Sequence, residues 1–391
     1  MPWPTAPSAS WHAHLTGAGA WIVPDQVFDG ERLIAGPAVL VARGRAHLVA
    51  ALPEGADAGG AVWRARGILA PGFIDLQVNG GGGVLFNGTP TAEGARAIAR
   101  AHRTTGTAAI LPTVITDAPD VLDRAALAIL AAAGRDGIAG IHIEGPHLSV
   151  ARRGTHAAHH IRPLDARTLA LVGRLRAADI PVMITVAPEA VAPGQIAALA
   201  GQGAVVALGH SDATAEATRA ALAEGAQTFT HLFNAMSPMQ NRAAGMTGAA
   251  INSRAYASII CDGIHVAPEM VGLALRARPV PDRTFMVTDA MPTVAGPHSY
   301  QLYGRSITLR EGRLVNGEGA LAGAHVTMLR SVAFVVGVLG LPAEVALRMA
   351  ITIPATLMRL DPLARVEGRD WSDLLLIAAD FSHAAFVGEM G

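Results

Sequence analysis

From Leu69-Ala70-Pro71-Gly72 onward the chain alternates short apolar runs with Ala-rich helical stretches, and this alternation constrains the fold more than any other feature. The apolar runs are Ala108–Pro112, Ile138–Ile143, Pro181–Ala187, Ala204–Leu208, Thr228–His231, Ala257–Cys261 and Thr284–Val287. Between them lie helical patterns such as Pro119–Ala133, Ala166–Ala178 and Ala213–Glu224. Parallel strands cannot be joined by tight hairpins and need crossover connections, usually helical. The expected class is therefore α/β, a (β/α)₈ TIM-like barrel over residues 69–365, although a doubly wound sheet meets the same pattern.

The flanks read differently. Residues from Ala20 to Arg66 carry short β patterns, Ala38–Ala42 and His47–Ala51, punctuated by Gly and Pro. A further β run, Trp371–Ile377, follows Gly368 and is expected to return to them. Residues 1–68 and 366–391 are thus expected to form a second, small β-sandwich domain built from both chain ends. Residues 1–15, which lack the basic start and apolar run of a signal peptide, are read as a loose tail.

Composition narrows the partners. Lys+Arg number 30 against Asp+Glu 31, a formal net charge of -1, so no basic field exists to hold nucleic acid or an anionic membrane. Apolar runs such as Val332–Leu341 are too short and Gly-broken to span a bilayer, which takes about 20 apolar residues. The single cysteine, Cys261, excludes an internal disulfide and fits a reducing compartment, so the expected location is the cytoplasm. A small-molecule ligand is expected.

A barrel places its chemistry at the C-terminal ends of successive strands. Four apolar runs end in a metal-capable or acid-base residue: Glu144, His210, His231 and Asp289. Two neutral imidazoles and one carboxylate suit Zn²⁺ or a similar ion and leave a position open for water. Such an ion lowers the pKa of its water towards about 7 and polarises a carbonyl, as amide hydrolysis requires. Asp289 is placed to take the water's proton and pass it to the leaving amine. Among the 15 histidines most are bystanders, including His12, His14, His47, His102, His159, His160, His298 and His383. His142 shares a strand face with Glu144 and reads as packing or support; His147 and His325 are left open.

Several motifs recur in one order: Pro71-Gly72-Phe73-Ile74-Asp75-Leu76-Gln77-Val78-Asn79-Gly80, His142-Ile143-Glu144-Gly145-Pro146, Gly154-Thr155-His156, Gly209-His210-Ser211, His231-Leu232-Phe233-Asn234-Ala235-Met236, Asp262-Gly263-Ile264-His265 and Val287-Thr288-Asp289-Ala290. Together they make the chain resemble the N-acetylglucosamine-6-phosphate deacetylases of the amidohydrolase superfamily, from about Gly36 to Asp373.

The resemblance implies Glu144, His210 and His231 as metal ligands and Asp289 as general base and acid. It implies that His156 hydrogen-bonds the substrate carbonyl and that Gln77 and Asn79, which stand where most amidohydrolases carry a His-x-His pair, contact water or substrate. Amides bind Zn²⁺ poorly, so one divalent ion per subunit is expected, Zn²⁺ first and Fe²⁺ as the alternative. Asn234, Ala235, His265 and Arg242 are implied as holders of the sugar phosphate, with Arg242 reaching across a homodimer. Its planar fork suits phosphate. Relatives follow that arginine with Glu-Pro-Gly where this chain reads Ala243-Ala244-Gly245, and Ala324 stands where they often carry Ser.

The activity implied is hydrolysis of N-acetylglucosamine 6-phosphate to glucosamine 6-phosphate and acetate. Another N-acyl amino sugar or amino acid derivative is the alternative substrate. A catalytically silent sugar-binding relative is disfavoured, because Glu144, His210, His231 and Asp289 are all retained.

Overall fold

The computed structural model describes residues 6–15, 19–57, 60–317, 319 and 321–390. They fall into two compact units: Met1–Ile74 with Thr104–Ala108 and Met328–Gly391, and Asp75–Arg103 with Ala109–Thr327.

The first unit joins both chain ends in one sheet. Its strand order is Ala384–Phe386, Leu374–Ile377, Val62–Pro71, Ala20–Phe28, Ala38–Ala42 and Arg45–Val49, with Leu33–Ala35 also on Ala20–Phe28. Val62–Pro71 runs on past residue 68 because Leu69, Ala70 and Pro71 pair with Leu376, Leu375 and Leu374 of the returning segment. That segment becomes a strand only at Leu374, after a short helical turn, Trp371–Asp373, capped by Asp370. The helices Met328–Gly337, Ala343–Leu347 and Ile353–Met358 also belong to this unit.

The loose tail expected over residues 1–15 is corrected where the structure describes it, residues 1–5 lying outside the described residues. Ala9–Leu15 is a helix, and Trp11 is fully buried among Ile22, Trp63 and Leu376. Its indole Nε1–H donates to the Trp21 carbonyl at 2.9 Å, and its ring meets Trp63 and Trp371 edge-on. Burial of a large aromatic surface, with its one donor satisfied, outweighs the entropy of ordering a short helix.

A curled parallel sheet, most of whose residues belong to the second unit, has the order Thr228–Phe229, Val205–Leu208, Val182–Val186, Ile141–Glu144, Thr107–Ile115 and Phe73–Val78. These strands are buried on both faces, the state that their unbroken apolar runs dictate. Ala257–Ile259 and Thr284–Met286 form a further parallel pair. Backbone bonds continue the order, from Leu232 N–H to Ser258 O at 2.8 Å, Val287 N–H to Ile259 O at 3.2 Å and Asp289 N–H to Gln77 O at 3.0 Å.

The crossover helices begin on local signals. Pro119 opens one helix, while the Asp165 and Thr214 side chains accept from Thr168 N–H and Ala217 N–H at the starts of two others. An antiparallel sheet of Ser299–Leu302, Arg305–Arg310 and Arg313–Val315 is inserted after the last parallel strand. Its first turn, Tyr303-Gly304, has two positive φ angles, 50° and 74°, as the tightest hairpins require. Leu302, Ile307 and Leu314 of this sheet pack on Ile115 and Met291. No helix among the described residues is long and apolar enough to cross a membrane.

Candidate active site

Each strand that carries a site residue ends in a tight change of direction. His210, His231 and Asp289 adopt positive φ angles of 47°, 32° and 52°, and Glu144 is followed by Gly145 at 83°. Left-handed backbone at a non-glycine residue costs about 1–3 kcal/mol and persists where the surroundings enforce it. Here the turn aims each side chain inward as its strand ends, so all four line one cavity.

At its floor three ligand atoms converge. Glu144 Oε1 lies 3.2 Å from His210 Nε2 and 3.0 Å from His231 Nε2, and the two nitrogens are 3.0 Å apart. Two imidazoles can share at most the protons they carry, so three such atoms at mutual contact present lone pairs to one point, the arrangement a divalent cation fits. Glu144, His210 and His231 are the group of this kind found among the described residues. His210 Nδ1 lies 2.9 Å from the Arg152 carbonyl, which must be accepting, and this leaves the Nε2 lone pair facing the cluster.

Asp289 sits opposite. Its Oδ1 accepts from Asn79 Nδ2 at 2.6 Å and Gln77 Nε2 at 3.1 Å, while Gln77 Nε2 also reaches Glu144 Oε1 at 3.0 Å. The two amides thus turn their N–H groups to the carboxylates. Burial, and then the Glu144 charge, pushes the Asp289 carboxyl from 3.8 up to about 6. Burial also presses on Glu144, but the adjoining His210 and His231 rings outweigh it and hold that carboxyl well below its usual range. Burial pulls His156 down to about 3, so its imidazole is neutral.

A sequence model of the amidohydrolase family matches residues 68–382. The chain belongs to the amidohydrolase family. An N-acetylgalactosamine-6-phosphate deacetylase of Shewanella sp. is 43% identical over 314 residues, 78% of each chain. An N-acetylglucosamine-6-phosphate deacetylase of Haemophilus influenzae is 33% identical over 300 residues, 75% of this chain and 77% of that one. Among solved structures, a mutant N-acetyl-D-glucosamine-6-phosphate deacetylase from Mycobacterium smegmatis, in complex with N-acetyl-D-glucosamine-6-phosphate, superposes with a TM-score of 0.84. It is 30% identical, over 95% of this chain and 99% of that one.

In this amidohydrolase the cavity gathers Asn79, Glu144, His156, His210, His231, Asn234, Ala235, His265 and Asp289. Gln77 stands directly behind, on the two carboxylates. His265 Nδ1 is 2.6 Å from Asp262 Oδ2, and its buried Nε2 has no partner among the described residues. Arg242 is not brought in: it is exposed on a separate cleft with Asp212, Arg219 and Gln240. His142 lies beneath the site, its Nε2 2.8 Å from Thr185 Oγ1, and His147 bonds the Arg162 carbonyl and the Thr168 hydroxyl. His325 Nδ1 contacts Thr293 Oγ1 at 2.9 Å.

Reasoning from sequence passed over two groups. Asp75, fully buried, takes the Thr288 hydroxyl at 2.5 Å and the Gln77 and Thr288 amides, which ties the strand carrying Gln77 to the strand end carrying Asp289. Burial drives its carboxyl up to about 7, against the bonds from Thr288 and Gln77. The other is Thr116, which directly follows the strand Thr107–Ile115 and whose Oγ1 lies 2.8 Å from His156 Nδ1. The apolar run read from sequence stopped at Pro112, so no strand-end signal pointed to it.

Proposed function

We propose that this protein removes the acetyl group from N-acetylglucosamine 6-phosphate, releasing acetate and glucosamine 6-phosphate. The observation that carries the reading is the convergence of Glu144 Oε1, His210 Nε2 and His231 Nε2 opposite Asp289, in a family member whose relatives are named for this deacetylation. Glu144, His210 and His231 would hold a divalent ion through those three atoms, and its Lewis acidity would polarise the amide carbonyl and lower the pKa of a water.

The residues themselves do the rest. Asp289, held through Oδ1 by Asn79 and Gln77, keeps Oδ2 for the attacking water's proton and then delivers that proton to the departing amine. His156, neutral in the cavity wall, donates to the carbonyl oxygen as negative charge gathers there. Asn234, Ala235 and His265 line the side of the cavity assigned to the sugar phosphate. Arg242, remote within its own chain, would complete that subsite from the second subunit of a homodimer. Zinc is the proposed ion, since its preference for nitrogen and carboxylate donors matches the set. We further read the eight parallel strands as a closed (β/α)₈ barrel, and residues 1–68 with 366–391, whose strands share one sheet, as the β part of a small second domain. The lone, buried Cys261 fits a cytoplasmic enzyme.

A second substrate, the galacto epimer, is favoured by one observation: the relative named for N-acetylgalactosamine 6-phosphate is 43% identical, against 33% for the Haemophilus influenzae enzyme. Acetate release should be measured from both 6-phosphates and from unphosphorylated N-acetylglucosamine. Faster turnover of the gluco phosphate supports the first reading and of the galacto phosphate the second. No preference for phosphate sinks both.

A further inference from the structure

We propose that Thr116 is a positioning residue that sets the tautomer of His156, by donating its hydroxyl proton to Nδ1 and so fixing the remaining ring proton on Nε2. The inference rests on the reading of His156 as a donor to the substrate carbonyl. A neutral imidazole has one N–H and one lone pair, and only the Nε2–H form offers a proton to an acceptor while Nδ1 faces Thr116.

The geometry selects that form. Thr116 Oγ1 lies 2.8 Å from His156 Nδ1 and 3.5 Å from the Glu144 carbonyl, the other acceptor within reach. Hydroxyl bonds are optimal near 2.7–2.8 Å and weak at the longer distance, so the proton goes to the ring. Had the ring donated instead, the hydroxyl proton would be left with the poor acceptor in a site where Thr116 is almost wholly buried.

Two further features hold the hydroxyl there. The Tyr303 hydroxyl, at the tip of the Tyr303-Gly304 hairpin, donates to the Thr116 carbonyl and pins its backbone. Gly145 leaves the space: a Cβ built at that position would come within 2.3 Å of Thr116 Oγ1. The threonine is thus clamped from the hairpin side and given room from the Glu144 side.

The test uses zinc-loaded enzyme with ¹⁵N-labelled histidine. Long-range ¹H–¹⁵N spectra separate protonated from bare ring nitrogens, and His156→Gln identifies the His156 signals. The wild type should show His156 protonated at Nε2, and Thr116→Val should show Nδ1-protonated or mixed signals. Thr116→Val should lower kcat by about 10- to 100-fold, the usual cost of losing such an orienting partner. KM should be little changed, and Thr116→Ser, which keeps the hydroxyl, should recover most of the rate. A bare Nε2 in the wild type, or a Thr116→Val enzyme of normal kcat, overturns the proposal. Wild-type enzyme that released no acetate would refute the functional reading while leaving the tautomer result to stand or fall by its own spectra.

Discussion

Replacing Asp289 with asparagine should remove the general base while leaving its surroundings in place. Asp289 Oδ1 accepts from Asn79 and Gln77, and its backbone N–H donates to the Gln77 carbonyl; an asparagine oxygen can take the same two donors. Asparagine also tolerates the φ of 52° better than most residues. Turnover should fall by about 10²- to 10⁴-fold, the contribution of a positioned acid-base group, or about 2.7–5.4 kcal/mol of barrier. The same change should stabilise the metal-free protein. Burial and the facing Glu144 raise the Asp289 carboxyl from 3.8 to about 6, so the folded state binds its proton more tightly than the unfolded state does. Stability from this group is whole below about pH 4, is lost as pH rises to about 6, and amounts at pH 8 to a penalty on the order of 3 kcal/mol that asparagine lacks. Melting of chelator-treated wild type and variant at pH 4 and pH 8 measures it, with the variant ahead at pH 8 only. Near-normal turnover, or a melting difference equal at both pH values, would refute the reasoning.

Three other outcomes are expected. Dialysis against a chelator should abolish acetate release, and one equivalent of Zn²⁺ per chain, counted by elemental analysis, should restore it; full activity without metal would contradict the Glu144–His210–His231 centre. Arg242→Ala should raise KM for the 6-phosphate and leave the unphosphorylated sugar unaffected, while equal effects on both would remove Arg242 from the phosphate subsite. Trp11→Ala should cost about 3–5 kcal/mol in denaturant unfolding, because it empties a fully buried site among Trp63, Ile22 and Leu376. A loss within 0.5 kcal/mol, typical of surface positions, would show that the N-terminal helix does not dock.

Much of the parallel sheet was legible because its strands are buried on both faces and therefore read as unbroken apolar runs. Ala204–Leu208 and Thr284–Val287 fall within one residue of the strands Val205–Leu208 and Thr284–Met286. Glu144, His210, His231 and Asp289 were legible because a polar residue closing such a run has few places to go but the strand's end. The N-terminal helix was not, since Ala9, Trp11, Ala13 and Leu15 alternate with polar residues at a period of two instead of the helical 3.6, and its burial depends on residues from the far end of the chain, such as Trp371. Arg242 shows the opposite limit: its motif names the residue, yet the fold of one chain leaves it exposed on another cleft.

Local pattern and side-chain type alone were enough to put Glu144, His210, His231 and Asp289 at strand ends and to say which chemistry they can perform. Only the tertiary structure decided that Glu144, His210 and His231 meet at 3.0–3.2 Å, that Gln77 and Asn79 turn their amide nitrogens to the carboxylates, and that Thr116 faces His156. Distances and proton positions of that kind come from strands far apart in the chain being forced into register by a shared buried core, and no local pattern encodes them.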